Sequence, residues 1–81
     1  MTILVLDGDL VGDALAELAE DELMIVIDPS ADRLEELEEC YPDPRVTWLI
    51  GDGIVIPIPD ASVDRVLGDA SESEIRRVLR P

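Results

Sequence analysis

Five aspartates stand where this sequence could do chemistry. Asp7 and Asp9 bracket Gly8, Asp28 precedes Pro29, Asp52 lies between Gly51 and Gly53, and Asp69 follows Gly68. Carboxylates so placed can accept ribose hydroxyls, hold a divalent cation or attack a phosphoryl group. Asp-Gly is also ordinary turn chemistry, so each aspartate alone is weak evidence. Composition prunes the choices. All six basic residues are arginine, so mechanisms that need a lysine are excluded. There is no histidine, which removes Ser/His/Asp and Cys/His nucleophile systems. A single cysteine, Cys40, leaves no intrachain disulfide and no zinc set. Cys40 follows Glu38 and Glu39 and lacks the electropositive surroundings of a reactive thiol, so it is expected to pack on a helix face.

The elements that must position these acids are legible from apolar runs. Thr2–Leu6 ends at Asp7-Gly8 and Leu23–Ile27 ends at Asp28-Pro29. Continuous runs without alternation read as strands buried on both faces of a parallel sheet. Between them Val11, Ala14, Leu15, Leu18 and Ala19 form a helical stripe, giving a βαβ unit. Pro29 suits a first helical turn, and Ala31, Leu34 and Leu37 carry a second helix to Cys40, stopped by Pro42 and Pro44. Val46–Ile50 is a third strand, with Trp48 expected in the core, and Val63–Leu67 a fourth. Ser71-Glu72-Ser73-Glu74 has capping-box spacing before a last amphipathic helix through Leu79. Residues 50–58 allow two readings. Gly51-Asp52-Gly53 could turn a hairpin onto an edge strand limited by Pro57 and Pro59, or open a crossover to a parallel fourth strand.

Eighty-one residues make one small domain, residues 1–81, whose core alone supplies a net of roughly 3–5 kcal/mol. Twenty acids against six arginines give a net charge of −14. With 47% apolar residues the chain is not an acidic disordered tail. An acidic surface meant for a basic partner is one reading. The favoured one is a halophile-type surface, tolerable where salt shortens the Debye length to about 3 Å near 1 M and expected to loosen the fold in dilute buffer. A melting temperature that climbs from dilute to molar salt is its signature. Direct nucleic-acid binding is disfavoured by the same charge. A lone thiol fits a reducing cytoplasm, and Met1–Leu6 lacks the basic start and long apolar run of a signal peptide. No membrane span is expected.

The order of motifs resembles the front half of a class I S-adenosylmethionine-dependent methyltransferase. Val5-Leu6-Asp7-Gly8-Asp9-Leu10-Val11-Gly12 is similar to the family's glycine-rich turn entering a helix, and Ile25–Ser30 with Arg33 and Leu34 to its second motif. Ile56-Pro57-Ile58-Pro59-Asp60, then Val63-Asp64, resembles the family's run into its fourth strand. Arg77-Val78-Leu79-Arg80-Pro81 resembles the run before its fifth. The likeness covers essentially the whole chain and favours the crossover. It implies a truncated Rossmann-like α/β domain, a three-layer sandwich on a mostly parallel four-stranded sheet in the order 3-2-1-4. It implies S-adenosylmethionine as cofactor, with Asp28 at its ribose and Asp52 at its adenine. Asp7 would lie near the methionine end, with Gly8, Gly12 and Gly53 letting backbone approach.

The departures are specific. The family's first turn reads Asp-x-Gly-x-Gly-x-Gly, whereas only Gly8 and Gly12 stand here, with Asp9, Leu10 and Val11 in the remaining space. The family's substrate-contacting residues after the fourth strand are replaced by Gly68-Asp69-Ala70, and its last three strands have no counterpart. The Asp7-x-Asp9 pair is similar to that of haloacid-dehalogenase-type phosphatases, and Asp52 to a response-regulator phosphoacceptor. Both families require a lysine. Two functions follow: a non-catalytic methyltransferase-like module acting through protein association, or a minimal S-adenosylmethionine binder completed by dimerisation. In either, the sheet edge beside the fourth strand is expected to pair with a second copy or a protein partner. No catalytic residue and no metal ligand is expected.

Overall fold

The protein is described here by a computed structural model covering residues 1–81. Strand β1 (Thr2–Val5) runs through a single 3-10 turn (Gly8–Leu10) into helix α1 (Val11–Glu17). Strand β2 (Leu23–Asp28) leads to helix α2 (Ala31–Cys40), and strand β3 (Val46–Ile50) to a long connection. Strand β4 (Arg65–Leu67) and helix α3 (Glu72–Val78) complete the chain. The sheet has the order β3-β2-β1-β4, and every pairing is parallel. Val5 lies beside both Val26 and Leu67, and Val26 beside Trp48, so the four carboxyl ends finish nearly level.

Successive strand residues alternate between two apolar layers, as parallel strands buried on both faces must. Ile3, Val5, Met24, Val26 and Val46 meet Val11, Ala14 and Leu18 from the α1 region and Leu34 from α2. Leu4 and Ile27 point the other way, onto Ile56, Ile58, Val63 and Val78. Fully burying one such side chain contributes about 1.5–3 kcal/mol, and nine large side chains are fully buried. No helix is long and apolar enough to cross a membrane.

The 50–58 segment is a crossover. No strand forms between Gly51 and Ser62, and the chain instead lays Ile56 and Ile58 into the second apolar layer. Pro57 and Pro59 have no N–H to offer a ladder, and an ion-pair clamp from α3 takes the ladder's place. Glu74 accepts the Ile56 N–H at 2.9 Å, while Arg77 donates to the Ile56 carbonyl at 2.7 Å and the Ile58 carbonyl at 2.9 Å. Arg77 also pairs with Glu74 and Asp60, both at 2.7 Å.

Several local expectations are corrected. Helix α1 ends at Glu17; Leu18 is extended and buried, and Arg45 donates to the Leu18 and Ala19 carbonyls at 3.0 and 2.9 Å. The same guanidinium grips Asp43 and holds its carboxyl at about 2. Ser30, not Pro29, starts α2, its hydroxyl accepting the Arg33 N–H at 3.3 Å. The capping-box spacing at Ser71 forms no box: Ser71 meets Ser73 at 2.9 Å, and Glu74 is turned to the crossover. Val63 stands outside β4. It bridges in parallel to Leu79, with Arg80 N–H on the Val63 carbonyl at 2.8 Å, so the chain's own last residues cover the start of that sheet edge. Cys40 is exposed, and Trp48 is half-buried against the first layer.

Candidate functional site at the strand ends

Because all four strands are parallel, Asp7, Asp28, Asp52 and Asp69 come to one edge of the sheet, as their positions after the apolar runs predict. In an open α/β sheet that edge is where ligands bind. Three of these acids spend one carboxylate oxygen on their own loop. Oδ1 of Asp7 accepts the Asp9 N–H at 3.0 Å, and Oδ1 of Asp28 the Ser30 N–H at 2.9 Å. Oδ1 of Asp52 accepts the N–H groups of both Val55 and Ile54 at 2.9 Å, which holds its carboxyl below the usual carboxylate range. In each, Oδ2 makes no hydrogen bond within the chain. No three acidic side chains converge on a metal position, and no cavity opens at this edge.

The glycines have local reasons of their own. A Cβ on Gly8 would sit 3.0 Å from both Arg33 Nη2 and Leu37 Cδ1, and one on Gly12 would sit 2.8 Å from the Tyr41 hydroxyl. Both glycines therefore let α2 and the residue after it close down on the first turn. A Cβ on Gly53 would lie 2.9 Å from the Ala70 Cα and 3.1 Å from the Asp69 carbonyl. There the loop after β3 has crossed to the loop after β4, sealed by the Ser71 N–H on the Gly53 carbonyl at 2.6 Å. Gly68, at φ +101°, packs on Leu6 and needs its missing side chain for both reasons.

Reading the sequence for acids and glycines misses Tyr41, and places Arg33 only in the second motif, not against the first turn. Arg33 reaches from α2 over Gly8 and pairs with Asp9 at 3.0 Å. Its position after the Ser30 cap places it on the first turn of α2, which was the available signal. Nothing in local spacing points Tyr41 at Gly12. The chain leaving β3 at this edge also exposes three large apolar side chains: Ile50, Ile54 and Val55 are 63%, 75% and 68% exposed.

The first turn can be tested directly against the methionine end of S-adenosylmethionine. A carboxylate there needs free backbone N–H groups. The Asp9 N–H is on the Asp7 carboxylate, the Leu10 N–H on the Asp7 carbonyl at 3.0 Å, and the Val11 N–H on the Gly8 carbonyl. Asp7 and Asp9 add negative charge. This turn does not fit that end of the cofactor. Asp28 and Asp52 each keep one carboxylate oxygen for ribose or adenine, so the other end retains acceptors.

Comparison with known proteins points the same way as the topology. The chain superposes on the crystal structure of a S-adenosylmethionine-dependent methyltransferase from Aquifex aeolicus with a TM-score of 0.76 at 22% sequence identity. The likeness is one of fold. It takes in all of this chain and 52% of that one, so the chain spans about half the methyltransferase's length. No protein-family model matches the sequence, and no curated protein does.

Proposed function

We propose that this chain is a methyltransferase-like fold that performs no chemistry itself and acts by associating with another protein. The observation that carries this reading is the closed first turn. The N–H groups of Asp9, Leu10 and Val11 are bonded within the chain, Arg33 lies over Gly8, and Tyr41 lies against Gly12. Fold likeness alone does not assign an activity. Two surfaces support association: the outer edge of β4 along Arg65–Leu67, where a second copy could add a strand, and the exposed apolar side chains at the carboxyl edge.

A second reading keeps S-adenosylmethionine as a ligand, with the methyltransferase site completed across a dimer. The fold likeness and the free Oδ2 atoms of Asp28 and Asp52 favour it. Titration calorimetry with S-adenosylmethionine and S-adenosylhomocysteine in molar salt separates the two. The non-catalytic reading expects no binding tighter than about 100 µM. Tighter binding that disappears in Asp28→Ala establishes the second.

A further inference from the structure

We propose that the patch formed by Ile50, Ile54 and Val55 docks a basic, amphipathic segment of a partner protein. The inference rests on the association reading and names the chemistry of the partner. These three side chains are more than half exposed, while the apolar side chains next to them in sequence, Leu49 and Ile56, are turned inward. Their surroundings are acidic. Ile50 is the register neighbour of Asp28 across β3 and β2, and Asp52 holds the backbone of Ile54 and Val55. Gly53, between them, packs against Asp69 and Ala70.

Charge decides among the occupants an exposed apolar patch can have. Five of the six arginines are matched to carboxylates: Arg33 to Asp9 at the first turn, Arg45 to Asp43, Arg76 to Glu72, Arg77 to Glu74 and Asp60, and Arg80 to Asp64; Arg65, on β4, has no such partner. None pairs with Asp28, Asp52 or Asp69, so the rim of this patch keeps its full negative charge. An anionic membrane surface is repelled by such a rim. A second copy would bring the same three acids against themselves, on a chain of net charge −14. A segment with apolar anchors at helical spacing and arginine or lysine beside them satisfies both features at once: its apolar face covers the isoleucines and valine, and its charges meet the rim.

The test uses the full chain and a fluorescein-labelled 18-residue helical peptide, with leucine at i, i+3, i+4 and i+7 and lysine and arginine flanking. A scrambled peptide of equal composition is the control. Anisotropy should report binding that weakens at least about tenfold with the scrambled peptide. The double variant Ile54→Ser/Val55→Ser should weaken it equally; both positions lie outside the core, so its fold is preserved. Asp28→Asn/Asp52→Asn, which keeps the loop-capping acceptors, should weaken binding and flatten its salt dependence. Four results overturn the proposal: no peptide binding, equal binding of the scrambled peptide, binding unaffected by the serine variant, or self-association in sedimentation that the serine variant abolishes. Association through β4 would leave the peptide unbound while the association reading stood. S-adenosylmethionine binding, measured separately, would remove the non-catalytic reading without touching the peptide result.

Discussion

The two faces of the sheet are covered by different means. On one, α1 and α2 follow their strands at once and bury apolar residues at helical spacing, with Ser30 capping α2. On the other, an irregular crossover lies under a short helix whose first serine makes no capping bond to the helix. Buried carbonyls need donors on either face. In the helical layer most are met by backbone, with Arg45 donating to the Leu18 and Ala19 carbonyls; in the crossover layer Arg77 donates to the Ile56 and Ile58 carbonyls, and Glu74 accepts the Ile56 N–H. A layer without regular structure can thus be as ordered as a helical one, but its order depends on a few long side chains.

The sharpest way to break this comparison is to treat the crossover as a loose loop. Ile56 is 1% exposed, and Ile56→Ala is expected to cost about 2–5 kcal/mol in denaturant unfolding, as for any buried aliphatic residue. A cost near zero would mean the second layer does not pack. Acid unfolding tests the clamp next. Arg77, and then the Ile56 N–H, hold the Glu74 carboxyl below its ordinary 4.5. A depressed carboxyl contributes stability that is present above its unfolded value and lost as the pH falls through the folded one. Wild type should therefore lose stability below about pH 4.5, and Glu74→Gln should be less stable at neutral pH with a shallower acid limb. Parallel limbs would show that the ion pair contributes nothing. The smallest effect compares the two serines. Ser30→Ala should cost about 1 kcal/mol by thermal unfolding, and Ser71→Ala only a few tenths, because only Ser30 accepts a helix N–H. Equal costs would erase the difference between the layers.

The same contrast governs what the sequence discloses. Parallel strands and the helices of the first layer follow from apolar runs and periodicity, which are local signals of buried faces, whereas the strand order is implied by the family resemblance. The crossover could be read two ways because Pro57, Pro59 and the Gly51-Asp52-Gly53 turn are compatible with both; a contact with Glu74, eighteen residues away, decides it. At the candidate site the strand-end acids were legible, since Asp7, Asp28 and Asp52 each end an apolar run. The neighbours of the glycines were not. Arg33, Tyr41 and Ala70 reach Gly8, Gly12 and Gly53 through the tertiary fold, and no spacing rule links them. Glycines and acids that resemble a cofactor cradle in sequence also serve turns and close packing, and only the neighbours tell the two apart.

That distinction is most exposed at Gly53, whose Cβ would meet backbone rather than a movable side chain. The decisive measurement is the unfolding free energy of Gly53→Ala in molar salt with no ligand added. Overpacking against the 69–70 backbone should lower it by about 1–3 kcal/mol. Unchanged stability would mean that this glycine is not required by the chain's own packing, and would return the strand-end edge to a cofactor.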